Sequence, residues 1–147
     1  MLKLIKIIIR IFHYVCTLNF FKIIRLRLDQ LYSIWISNEF KACQSPLIRY
    51  PMYLHGGAHM VIGKGFNCDQ RLRLDAFESF LGEKFTPQLL IGDNVSIQKD
   101  CHIGVINKVV LGNNVLIASR VYISDHSHGK VIAEEIDCPP SCRKLYS

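Results

Sequence analysis

Residues 91–128 read IGDNVSIQKDCHIGVINKVVLGNNVLIASRVYISDHSH, and the fold follows from where their aliphatic side chains recur. Ile91, Ile97 and Ile103 stand six apart; after two extra residues within IGVINKVV the step resumes at Leu111, Ile117 and Ile123. Upstream, Ile62, Cys68 and Leu74 keep the same step. Four residues after these positions come Phe66, Leu72, Val95, Cys101, Val115 and Val121, so each hexad offers two inward side chains with a turn between them. An α-helix cannot hold apolar residues in step at six, and an array of hairpins has no need of a fixed spacing. The economical solution is a coil of three short strands stacked on its neighbours, which buries a column of Ile, Leu and Val and satisfies each coil's backbone from the next. Taking three hexads to a coil, about three coils are expected.

Two stretches interrupt the period. FESFLGEKFTP, from Phe77 to Pro87, separates the first and second coils, and the extra pair between Ile103 and Val110 displaces the third. Segments thrown out of a solenoid tend to gather on one face and shape a site.

Residues 1–45 are expected to form a basic amphipathic helical segment ahead of a β domain at 46–147. Lys3, Lys6, Arg10 and His13 recur at steps of three and four, while the residues between them are nearly all apolar, giving a cationic stripe beside a wide apolar face. The longest uncharged run, Ile11 to Phe21, falls well short of the ~20 residues that a spanning helix needs. A helix lying in the membrane interface through residues 1–28, and a helix packed on the fold or on a partner subunit, both fit this pattern.

The charge map excludes one class of function. The formal charge is +6, and Lys3, Lys6, Arg10, Lys22, Arg25 and Arg27 all precede the first acid, Asp29, so the rest of the chain sums to zero. A neutral body offers no nucleic-acid face. The six cysteines, in a chain of 147 residues without an evident cleavable signal, read as reduced thiols of the cytoplasm. Cys138 and Cys142 with His126 and His128 match no common zinc spacing, so no metal is expected.

The stretch IGDNVSIQKDCHIGVINKVVLGNNVLIASRVYISDHSHG resembles the hexapeptide-repeat acyltransferases, and is most similar to the O-acetyltransferases of lipopolysaccharide and capsule assembly. The upstream YPMYLHGGAHMVIGKGFNCDQRLRLDAF fits the same group, and ISDHSHG is the specific part. The resemblance implies a left-handed parallel β-helix, acetyl-CoA as donor, a sugar or polysaccharide precursor as acceptor, and a homotrimer with the site between chains. It also implies that His126, the first histidine of the DHxHG element, is the catalytic base. A sugar hydroxyl is a poor nucleophile at neutral pH, and a neutral imidazole within hydrogen-bond reach can take its proton as the oxygen attacks the thioester. Metal-holding enzymes of the same fold, which resemble carbonic anhydrases, space their histidines differently.

His128 shares a face with His126 if the segment stays extended, and is a candidate to assist or to contact the acceptor. Asp125 then points the other way; it is not expected to orient its neighbour and is counted with the candidate substrate-binding residues. His102 falls one coil below Tyr122 and, with Tyr122 and Asn107, completes the candidate acceptor-binding set. Members of the group continue beyond the equivalent of EEIDCPPSCRKLYS into further hexads, whereas this sequence stops at Ser147, so a truncated product is expected. The alternative to an O-acetyltransferase is a non-catalytic remnant that trimerises or sits on a membrane. The expected location is the cytoplasm, peripheral on the inner membrane face.

Overall fold

The computed structural model describes residues 1–130 and 132–147. Helix α1 spans Leu2–Val15 and α2 spans Leu18–Ile36. Thr17 separates them; its side-chain oxygen accepts the Phe20 N–H and so caps α2. The single amphipathic helix expected from the cation spacing is thus two, bent by 56°.

The body is built from three parallel sheets, four-stranded among the described residues, which the chain visits in rotation. The first turn is Ala42–Cys43, Leu47–Ile48 and Tyr53–His55; the second is Met60–Ile62, Asn67–Cys68 and Arg73–Ala76. The third is Gln88–Ile91, Ser96–Ile97 and His102–Val105; the fourth is Lys108–Leu111, Leu116–Ile117 and Tyr122–Ser124. Pairing follows the six-residue step: Cys43, Ile62, Ile91 and Leu111 are aligned in one sheet, Ile48, Cys68, Ile97 and Ile117 in the next, and Leu54, Leu74, Ile103 and Ile123 in the third. These columns, with Phe66, Leu72, Val95 and Cys101, form the buried core.

Four turns replace the three expected. The first was hidden because Cys43 and Ile48 are five apart, not six, and its strand Ala42–Cys43 starts before residue 46. Its corner turns through Ser45 at φ 47°. Corners in the later turns stack in columns, Gly65 over Asn94 and Asn114, and Arg71 over Asp100 and Arg120, all left-handed at φ between 55° and 72°. Asn and Asp tolerate that conformation better than other side chains. Arg71 and Asp100 secure their column with two hydrogen bonds, Nε to Oδ1 and Nη2 to Oδ2.

The N-terminal end of the stack is closed by α2. Ile36 and Phe40 bury against the core, and Ser33 Oγ accepts the Ile48 N–H at 2.7 Å while donating to the Asp29 carbonyl. Buried Asp29 accepts the Tyr50 N–H and lies 3.5 Å from Arg25. An edge strand leaves a row of unpaired backbone groups, and these side chains occupy part of that row. Residues 1–14, by contrast, are exposed along their whole length. Among the described residues no single helix is long and apolar enough to cross a membrane.

Candidate functional site

His126 sits just beyond the last strand of the fourth turn, after a bend at Asp125. That bend reverses the expectation for Asp125. In a straight strand the two side chains would face apart; here Asp125 Oδ1 lies 2.9 Å from His126 Nδ1. The carboxylate is anchored in turn by the N–H groups of Ile106, at 3.0 Å to Oδ1, and Asn107, at 2.8 Å to Oδ2. Ile106 and Asn107 lie in the segment lengthened by the extra pair, so that interruption supplies the donors that fix the carboxylate. Burial opposes ionisation of Asp125, but the His126 hydrogen bond and the backbone N–H groups of Ile106, Asn107 and Lys108 outweigh it and hold the carboxyl below its usual range.

An ionised carboxylate can only accept, so Nδ1 carries the proton and Nε2 is left with its lone pair. The assignment rests on the hydrogen-bond partners. Ser124 completes the clamp, accepting the His126 N–H and donating to the His126 carbonyl. The imidazole is only 6 % exposed and meets Phe77 edge-on, with ring centroids 6.0 Å apart. Phe77 opens the other interruption, whose tip is a hairpin pairing Ser79–Phe80 with Glu83–Lys84. Its N–H extends the ladder by donating to Val105, which aims its ring between His55 and His126. Both interruptions therefore collect beside His126.

Gly104 forms the floor. A Cβ there would stand 3.3 Å from His126 Cε1, 3.9 Å from His126 Nε2 and 3.8 Å from His102 Nε2, so the two imidazoles approach the same bare backbone from two sides. His102 is paired with Tyr122 above it and Arg73 below it, and Gly104 with Asp75. His102 Nε2 lies 2.9 Å from Asp75 Oδ2, the same oxygen that accepts from Arg73 Nε. Asp75 is 4 % exposed, and Tyr122 rests its ring 5.0 Å from that of His102. The site thus holds two imidazole–carboxylate pairs.

Other candidates are placed elsewhere. His128 lies in a short strand antiparallel to Leu145–Tyr146, exposed, with its ring 5.3 Å from that of Phe80. Asn107 acts through its backbone on Asp125, while its side chain reaches Ser147. Sequence reasoning missed Asp75, Arg73, Phe77, Ser124 and Gly104. The register that put His102 beneath Tyr122 also puts Arg73 beneath His102 and Asp75 beneath Gly104, so the signal for these three was present.

All six cysteines are free, and burial pushes the thiols of Cys43 and Cys68 up to about 11 and about 12. Neither can serve as a thiolate nucleophile near neutral pH. Among the described residues no group of three metal-ligating side chains converges.

Fold and site together define a parallel-strand solenoid with a carboxylate-oriented histidine at the end of a turn. By sequence, 69 % of the chain is 33 % identical to an Escherichia coli (strain K12) protein named "Putative lipopolysaccharide biosynthesis O-acetyl transferase WbbJ". The chain spans about half the length of that curated relative, 50 % of it being covered. No family model and no solved structure matches.

Proposed function

We propose that this chain carries the acetyl-transfer site of an O-acetyltransferase acting on a sugar hydroxyl in surface-polysaccharide assembly, with acetyl-CoA as donor. The observation that carries the reading is the clamp on His126, a buried imidazole whose Nδ1 faces an anchored carboxylate and whose Nε2 faces the bare Gly104. In this reading Nε2 takes the hydroxyl proton as the sugar oxygen attacks the acetyl carbonyl. The tetrahedral intermediate then expels the CoA thiolate with cleavage of the C–S bond, and the imidazolium returns the proton to the sulfur. Asp125 holds the productive tautomer and stabilises the imidazolium. His102, held by Asp75 and flanked by Tyr122, lies on the acceptor side. His128 borders a groove lined by Lys130, Ile132, Ile136 and Arg143, whose cations suit the phosphates of the donor.

The same reading takes the three sheets as the faces of a left-handed β-helix and the working unit as a homotrimer with the site between chains. The rotating strand order and the six-residue register support the coil, while the homotrimer rests on the resemblance in sequence alone. The first test is calorimetric titration of acetyl-CoA into the folded chain in mild detergent, where binding at or below about 1 mM Kd, worth about 4 kcal/mol, is expected. Release of CoA thiol with a panel of nucleotide sugars, strongly reduced in His126→Ala, completes the test. Absence of heat from folded protein would leave a trimerising or membrane-associated module without transfer.

A further inference from the structure

We infer that α1 and the outer line of α2 form a docking surface for an anionic lipid membrane. This stands apart from the transfer reaction and does not rest on it. On α1, Lys3, Lys6, Arg10 and His13 fall along one side, and Leu4, Ile5, Ile8, Ile11 and Phe12 along the other, all of them exposed. Such a helix has nothing of its own fold to bury its apolar side against.

On α2 one face is already used, with Asp29, Ser33 and Ile36 turned to the solenoid. A separate line, Phe21, Ile24, Leu28, Leu31 and Trp35, follows steps of three and four and is left in solvent, Trp35 to 63 %. Both helices therefore present continuous apolar stripes that the solenoid does not cover, well beyond the scattered apolar residues of an ordinary surface.

Charge selects the occupant. Six cations and no acid lie in the first 28 residues, while the remainder of the chain is neutral. A second copy laid on these stripes would bring like charges together along both flanks. An anionic lipid surface meets the cations with head-group phosphates and the apolar stripes with the acyl boundary, which is the arrangement of an interfacial helix. The break at Thr17 lets α1 lie flat while α2 remains fixed to the first coil, so the solenoid would be held against the surface by its N-terminal end.

The test uses the full chain and vesicles of phosphatidylcholine with or without phosphatidylglycerol. Sedimentation with the phosphatidylglycerol vesicles is expected, weakened by salt, with little on phosphatidylcholine alone. Trp35 is the only tryptophan, and its emission should shift to the blue on binding. Each cation near such a surface is worth about fivefold in affinity, so Lys3→Gln, Lys6→Gln and Arg10→Gln together should weaken binding about 100-fold. His126→Ala should leave binding unchanged. Equal binding to both vesicle types, unmoved by salt and by the triple variant, would overturn the inference in favour of a bent span. Failure to bind either type, with self-association that the triple variant strengthens, would assign the stripes to a second copy. Sedimentation without any change at Trp35 would remove α2 from the surface.

Discussion

Two imidazole–carboxylate pairs flank Gly104, and they are built in opposite ways. His126 and Asp125 are adjacent in sequence, and the carboxylate is held by backbone N–H groups from the turn below. His102 and Asp75 are 27 residues apart, neighbours only through stacking, and their carboxylate is shared with the Arg73 guanidinium. The His126 side chain is 6 % exposed, that of His102 32 %. Backbone donors cannot swing away, whereas an arginine can, so the first pair is a fixed device for holding a tautomer. The second is a more open device suited to contact with a ligand. The proposed roles of base and acceptor contact rest on that difference.

The largest effect is expected at His126 itself. His126→Ala should lower the rate of acetyl transfer by about 10²–10⁴, the usual worth of general-base catalysis, with circular dichroism and melting unchanged. Should His102→Ala cost as much in kcat, the assignment of the two pairs is reversed.

Asp125→Asn comes next. The amide has one acceptor oxygen where Asp125 serves His126, Ile106 and Asn107, so its NH₂ must face a donor. With its oxygen toward His126 and Ile106, the NH₂ meets the Asn107 N–H, and stability falls by about 1–3 kcal/mol. The pH dependence has a definite sign. The folded-state carboxyl is held below its ordinary value of about 4, so its contribution to stability is complete above that pH and disappears as the pH falls through the lower native value. The melting-temperature gap between wild type and variant should therefore be full at neutral pH and narrow under acid; a gap that widens on acidification would contradict the anchoring of Asp125.

Gly104→Ala acts on both pairs at once. Its methyl would press on His126 Cε1 at 3.3 Å and on His102 Nε2 at 3.8 Å. Displacing a catalytic group by a fraction of an ångström to an ångström costs up to about 10²-fold, read as kcat, while the buried ladder on either side should keep the fold. The smallest effect belongs to His102→Gln, which retains a donor toward Asp75. A rise of about tenfold in acceptor KM with kcat nearly constant would mark lost ground-state contact.

Much of the fold was legible because a solenoid converts sequence spacing directly into neighbourhood. Once Ile62, Cys68 and Leu74 were set in step with Ile91, Ile97 and Ile103, every partner in the later turns followed, including His102 beneath Tyr122. The first turn escaped because one residue is missing between Cys43 and Ile48. The same rule of spacing failed at Asp125, since strand alternation holds only while the strand continues.

The sequence by itself determined the columns of the core, the two interruptions and the confinement of charge to the first 28 residues, because these depend on periodicity and composition alone. Tertiary structure alone decided that Asp125 turns back to His126, that Asp75 reaches His102, and that α2 packs while α1 does not. Those outcomes depend on a bend, on side-chain reach across stacked strands and on which helical face finds a partner, and none of these is a property of spacing along the chain.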